Sequence, residues 1–137
     1  MSELSSEIID RLVEAASAAR ERAHAPYSAF AVGAAALDAN GDVHVGCNVE
    51  NASYGLSVCA ERNAIAAAVA AGENRFQGLA VVTDMDPPAS PCGACRQVLV
   101  EFGDFPVILA NPAGERVLTR VSDLLPDAFT PESLLER

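Results

Sequence analysis

Apolar positions at Ile8, Ile9, Leu12, Val13 and Ala16 recur at helical spacing and predict a helix over residues 4–22. Ser5 or Ser6 is placed to cap it, and His24-Ala25-Pro26 ends it. Two extended segments follow, FAVGAAALDA (30–39) and DVHVGCNVE (42–50), and the Asn40-Gly41 pair between them predicts a hairpin. A second helix is expected from near Leu56 to about Ala71, where Gly72 stops it. Its body, AIAAAVAA, is apolar all round, which predicts a buried helix covered by its own sheet and by partner subunits. LAVVTD (79–84) is a continuous apolar run, as in a central strand covered on both faces. A third helix is expected from about Cys92 to near Gly103. The last two strands, FPVILAN (105–111) and RVLTRV (116–121), are joined by a turn so short that they must pair antiparallel. The order α-β-β-α-β-α-β-β predicts an α/β fold: a three-layer α/β/α domain with a mixed five-stranded sheet.

A chain of 137 residues suits one domain, spanning 1–137, with a tail from about Pro126 that is rich in Pro, Glu and Leu. No internal repeat and no low-complexity segment interrupts it. Half of the residues are apolar, but no run is long enough to span a bilayer. The polar, acidic start MSELSSEIID does not resemble a targeting segment, so the cytoplasm is the expected compartment and no membrane partner is expected. A formal net charge of −10 repels phosphate backbones and argues against a nucleic-acid partner.

Four cysteines in such a chain are expected to be reduced thiols or metal ligands. Cys92 and Cys95, three apart at a helix start, fall on one helical face, and Cys59 opens the other buried helix. Helix N-termini favour the thiolates a metal needs. Three protein ligands leave zinc a fourth position for water, as in catalytic rather than structural sites. Glu61, two residues after Cys59, is poorly placed to ligate beside it but can lie next to that open position and take a proton. Two other readings of the Cys-x-x-Cys remain: a redox pair, or a four-cysteine structural site completed by Cys47. Against the second, strand alternation puts Cys47 with Val43, Val45 and Val49, as a small core hydrophobe, while His44, Asn48 and Glu50 share the opposite face. His24 and His44 read as surface or core residues rather than ligands.

Cys-x-Glu followed by Pro-Cys-x-x-Cys matches the zinc-dependent deaminase signature. Longer segments, PYSAFAVGAAAL (26–37), GCNVENASYGLSVCAERNAI (46–65), SPCGACRQVLVEF (90–102) and LLPDAFTP (124–131), resemble the small homotetrameric cytidine deaminases. That resemblance implies hydrolytic deamination of cytidine and 2′-deoxycytidine in pyrimidine salvage. It implies one Zn²⁺ per subunit held by Cys59, Cys92 and Cys95, and Glu61 as proton shuttle. It also implies sugar contacts at Asn48 and Glu50, a ring contact at Phe30, and further substrate contacts at Ala60, Tyr54 and Phe129. The last two would complete a neighbouring subunit's pocket, with the tail at the interface of a homotetramer. Arg62 is expected to donate to the cysteine sulfurs and offset the charge of three thiolates. Alternatives are deamination of a cytosine-bearing antibiotic nucleoside such as blasticidin S, nucleic-acid editing, and a zinc-stabilised binding module. Asn48 and Glu50 speak against the first, the missing basic groove against the second, and Glu61 beside an open position against the third.

Overall fold

The computed structural model describes residues 3–135. Helix α1 (Ser6–Arg20) starts where Ser5 accepts a hydrogen bond from the Ile8 amide, so Ser5 rather than Ser6 is the cap. The chain then enters the hairpin β1 (Val32–Asp38) and β2 (Val43–Cys47). Helix α2 (Ala60–Ala70), strand β3 (Phe76–Thr83), helix α3 (Gly93–Glu101) and strands β4 (Pro106–Ala110) and β5 (Arg116–Arg120) follow. The strand order is β2-β1-β3-β4-β5. β3 and β4 are parallel and the other neighbours antiparallel, so the sheet is mixed as expected.

Strand alternation produces two cores. Ala34, Ala36, Leu79, Val81, Val107 and Leu109 face α2 and α3, where they meet Ala64, Ile65, Leu99 and Phe105. Ala35, Leu37, Ala80, Val82, Ile108 and Ala110 face α1, against Leu12 and Ala16. Both faces of the central strands are covered, which explains their continuous apolar runs. Each large aliphatic side chain buried in this way contributes roughly 1.5–3 kcal/mol.

The small residues of β1 and β2 set how closely the helices approach. A Cβ on Gly33 would stand 1.9 Å from the Ala16 carbonyl oxygen of α1. A Cβ on Gly46 would stand 2.4 Å from the Ala64 nitrogen and 2.6 Å from the Ala60 oxygen of α2. These are backbone atoms, with no side chain to swing away, so glycine is what lets the α2 backbone rest on the edge strand.

Four expectations are corrected or extended. Residues 54–56 form a separate 3₁₀ turn, and α2 begins only at Ala60, with Cys59 as its N-cap. Val58 lies in an extended bridge to Val49, and this pairing holds the backbone out of a helix before Cys59. Second, within one chain the sheet covers only one side of α2, and Ala66, Ala67, Val69 and Ala70 face outward, on the side the expectation assigned to partner subunits. Third, Cys47 is half-buried on the edge strand and is not a core residue. Fourth, β5 ends at Arg120, and two short helices not expected from the sequence follow: α4 (Val121–Leu124), before the tail, and α5 (Pro131–Leu135) within it, with Val121 buried against the α3 side of the sheet. Among the described residues no helix is long and apolar enough to cross a membrane.

Candidate active site

The site lies where α2 and α3 begin. Cys59 caps α2, Cys92 caps α3, and Cys95 sits in the first turn of α3. Neither capping cysteine spends its sulfur on its own helix, so both thiols are free to turn toward a common point. The three Sγ atoms lie within 4.8 Å of one another. Cys59 Sγ is 3.8 Å from Cys92 Sγ, and Cys92 Sγ is 3.5 Å from Cys95 Sγ. All are free thiols, so the redox-pair reading has no disulfide to support it.

These spacings fit zinc. Sulfurs at about 2.3 Å from a tetrahedral ion stand about 3.8 Å apart. The electrostatics fit as well. The Cys59 thiol is lowered to about 5, foremost by a hydrogen bond from Cys95, with further help from Arg62 and Cys92. Cys95 is pushed up, foremost by that same bond to Cys59 and then by its burial. The thiolate form is thus favoured at Cys59, and a divalent cation would compete with the proton that remains in the cluster. The cluster is buried on the Cys95 side and open on the Cys92 side, which leaves room for a non-protein ligand. Cys47, the candidate fourth sulfur, is outside the cluster.

Glu61 is 5% exposed, in the first turn of α2. Burial raises its pKa, and the nearby Cys59 charge adds to the effect. Arg62 Nη2 lies 3.8 Å from Cys59 Sγ and 3.4 Å from the Ser57 carbonyl oxygen. Its guanidinium is held charged, foremost by the bond to Cys59.

A cavity of about 210 Å³ opens beside the sulfurs, lined by Phe30, Asn48, Cys59, Ala60, Glu61 and Cys92 among others. Five residues on its wall were not singled out from the sequence: Val32 at the start of β1, Val81 and Thr83 at the end of β3, and Ala89 and Ser90 before α3. A second cavity of about 360 Å³ is lined by Tyr27, Ser28, Glu50, Tyr54 and Ser57. Thus Phe30, Asn48 and Ala60 join the cysteine cluster, whereas Glu50 and Tyr54 line the second cavity. Phe129 lines neither; it is 62% exposed, and its carbonyl accepts a hydrogen bond from Gln97. Arg96 also escaped the sequence reading. It donates to the Pro91 and Leu124 carbonyls and to Ser90 Oγ, bracing the Pro-Cys-x-x-Cys turn against the tail. Only its place directly after Cys95 could have pointed to it.

Residues 6–111 match the family described as the cytidine and deoxycytidylate deaminase zinc-binding region. A cytidine deaminase of Sporosarcina psychrophila is 48% identical over 128 residues, covering 92% of this chain and 94% of that protein. The crystal structure of cytidine deaminase from Burkholderia pseudomallei is similar at a TM-score of 0.86 and 52% identity, covering 92% of this chain and 100% of that one. The corresponding enzyme from Mycobacterium tuberculosis gives a TM-score of 0.75 at 44% identity, over 88% and 96% of the two chains.

Proposed function

This chain belongs to the cytidine and deoxycytidylate deaminase zinc-binding family, and on that premise we propose that it hydrolyses cytidine and 2′-deoxycytidine to uridine and 2′-deoxyuridine, releasing ammonia. The observation that carries the reading is the placement of Glu61, Asn48 and Phe30 around one cavity with the sulfurs of Cys59 and Cys92.

Cys59, Cys92 and Cys95 would hold the zinc ion. When bound, zinc supplies a Lewis acid that acidifies water toward neutrality. Glu61 does the proton work. Its carboxylate takes a proton from the attacking water and passes it to ring N3 as the C4–O bond forms; it then takes the proton of the new C4 hydroxyl and passes it to the amino group, and the C4–N bond breaks to release ammonia. Burial raises the Glu61 carboxyl above its usual range, which favours the protonated form that this cycle must pass through. Phe30 offers a flat apolar wall to the pyrimidine, and Ala60, fully buried at the start of α2, is small enough to leave the ring room. Asn48 and Glu50 supply polar groups for the sugar.

Among the described residues neither cavity is lined by Lys, Arg or His, while both carry a carboxylate, Glu61 in one and Glu50 in the other. A phosphate there would meet negative charge without compensation, so the reading favours nucleosides over nucleotides. A role in pyrimidine nucleoside salvage follows from that choice of substrate.

A homotetramer is part of the proposal. The outward stripe of α2 and the exposed Tyr54, Leu56 and Phe129 are apolar surface that a neighbouring subunit would cover. In such an assembly Tyr54 and Phe129 would complete a neighbour's pocket. A monomer in light scattering would remove this part.

The decisive experiment follows the ultraviolet absorbance of cytidine and 2′-deoxycytidine with zinc-loaded and chelator-stripped protein. The loaded enzyme is expected to deplete both nucleosides and liberate ammonia, and the stripped protein neither. No depletion by the loaded enzyme would refute the reading.

A further inference from the structure

We propose that Ser28 is a positioning residue for the sugar subsite: its hydroxyl ties the Glu50 carboxylate to the loop that carries Phe30, so one hydrogen-bonded unit sets both sugar recognition and the seat of the base. The inference rests on the nucleoside reading above.

Between α1 and β1 the chain makes a tight turn, with Ala29 at φ 58 in the left-handed region. Side chains hold that turn. Glu50 Oε1 accepts from the Tyr27 amide at 3.0 Å and from the Ser28 amide at 3.2 Å. Glu50 Oε2 accepts from the Ser28 hydroxyl. Ser28 Oγ in turn accepts from the Phe30 amide at 3.0 Å. On the other side, Asn48 Nδ2 donates to the Phe30 carbonyl at 2.8 Å, and its Oδ1 accepts from the Val32 amide at 2.8 Å. Both backbone polar groups of Phe30 are therefore held by side chains, one through Ser28 and one through Asn48.

The geometry makes Ser28 the link between the two cavities. Glu50 faces the larger cavity and Phe30 the one beside the cysteines. The single hydroxyl proton of Ser28 goes to Glu50, and its lone pair takes the Phe30 amide, so the contact is a directional relay. Oε1 already carries two N–H donors. The open acceptor capacity of the carboxylate therefore falls on Oε2, the oxygen that Ser28 fixes. A sugar hydroxyl donating to Glu50 would meet the atom whose position Ser28 sets. The same hydrogen bond is the foremost cause of the lowered Glu50 pKa, which keeps the group an acceptor at neutral pH.

The test compares cytidine with 2′,3′-dideoxycytidine, which lacks the 2′ and 3′ hydroxyls, on the zinc-loaded wild type, Ser28→Ala and Ser28→Thr. The wild type should prefer cytidine. Ser28→Ala should lose about tenfold of that preference in kcat/KM, the loss lying in KM for cytidine, since a hydrogen bond to a charged group is worth about that factor. Ser28→Thr, which keeps the hydroxyl, should retain the preference. Equal losses on both substrates in Ser28→Ala overturn the proposal, because a merely structural defect harms both alike. A wild-type ratio near one also overturns it, as does a Ser28→Thr ratio equal to that of Ser28→Ala. Should Ser28→Ala fail to fold, Ser28→Gly removes the same hydroxyl and is read in the same way. A wild type that turns over neither nucleoside is a different failure, that of the deaminase reading itself.

Discussion

Arg62 Nη2 stands 3.8 Å from Cys59 Sγ, while Nε of the same guanidinium is buried with no hydrogen-bond partner among the described residues. A buried donor is not left unpaired without a reason, because its desolvation costs about 1–3 kcal/mol. On the proposed reading the reason is charge: three thiolates around one divalent cation would carry a net negative charge, which Arg62 would offset at close range. Arg62→Gln is therefore expected to weaken zinc retention or turnover by about tenfold to a hundredfold. Arg62→Lys should fall between, keeping the charge but losing the planar fork. Chelator competition and kcat on the reloaded protein read the two effects separately, and a Gln variant equal to wild type in both would remove Arg62 from the site.

Glu61 and the cysteines separate in the same way. In the proposed reaction Glu61→Gln changes the group that would move the proton and leaves all three sulfurs, so it should keep stoichiometric zinc while kcat drops at least about a hundredfold. Metal analysis beside a steady-state assay decides this. A Gln variant with wild-type turnover would place the proton shuttle elsewhere.

Loss of a sulfur should do the opposite. Cys92→Ala is expected to lose zinc, activity and some thermal stability together, because metal binding and folding are coupled. Cys47→Ser should lose none of the zinc, since Cys47 lies outside the cluster. Elemental analysis of the two variants distinguishes a three-cysteine site from a four-cysteine one. Zinc retained by Cys92→Ala, or lost from Cys47→Ser, would contradict the ligand set read from these distances.

The order of the elements was legible because both faces of β1, β3 and β4 are buried, so each strand is an unbroken apolar run between polar turns. Spacing put Cys59, Cys92 and Cys95 at two helix starts, and the family resemblance separated that trio from a redox pair or a four-cysteine site. What the pattern could not show is set by tertiary contacts. Cys59 caps α2, and a cysteine cap carries none of the Ser, Thr, Asp or Asn signal that marks a helix start. Helices of four and five residues, such as α4 and α5, have no stable periodicity of their own, and Arg96 pins the end of α4 through the Leu124 carbonyl. Strand alternation put Asn48 and Glu50 on one face, but β2 ends at Cys47. Val49 instead bridges His24 and Val58, and the two side chains serve neighbouring cavities.

Gly46 links fold and site directly. Its missing Cβ is what allows α2 to lie against β2, at the level of the Ala60 carbonyl and the Ala64 amide. Gly46→Ala must push the start of α2 outward, and that turn carries Cys59, Glu61 and Arg62. The expected cost is about 1–3 kcal/mol of stability, as for an overpacked core. Because the displaced turn holds one zinc ligand, zinc affinity should fall with it. A Gly46→Ala protein with wild-type melting and wild-type metal retention would show that α2 can shift without disturbing the site.

Far from the sulfurs, at the β1–β2 turn, Asp38 is fully buried and its Oδ2 lies 2.7 Å from His44 Nε2. Its other oxygen accepts from the Asn40 and Asp42 amides, at 2.8 and 3.0 Å. Together these bonds hold the Asp38 carboxyl below its usual range, with the His44 bond foremost. A carboxyl whose pKa is lower in the folded than in the unfolded chain stabilises the fold fully above the unfolded value, roughly 4, and loses that contribution as pH falls through the folded value. Asp38→Asn should therefore melt at a lower temperature than the wild type at neutral pH, and the gap should close as the solution is taken below about pH 4. Acid also strips zinc from thiolates, but both proteins share that loss, so it cancels in the difference between their melting curves. A gap that stays constant from neutral pH to about pH 3 would mean that the Asp38 charge contributes nothing and that only its shape is needed in the turn.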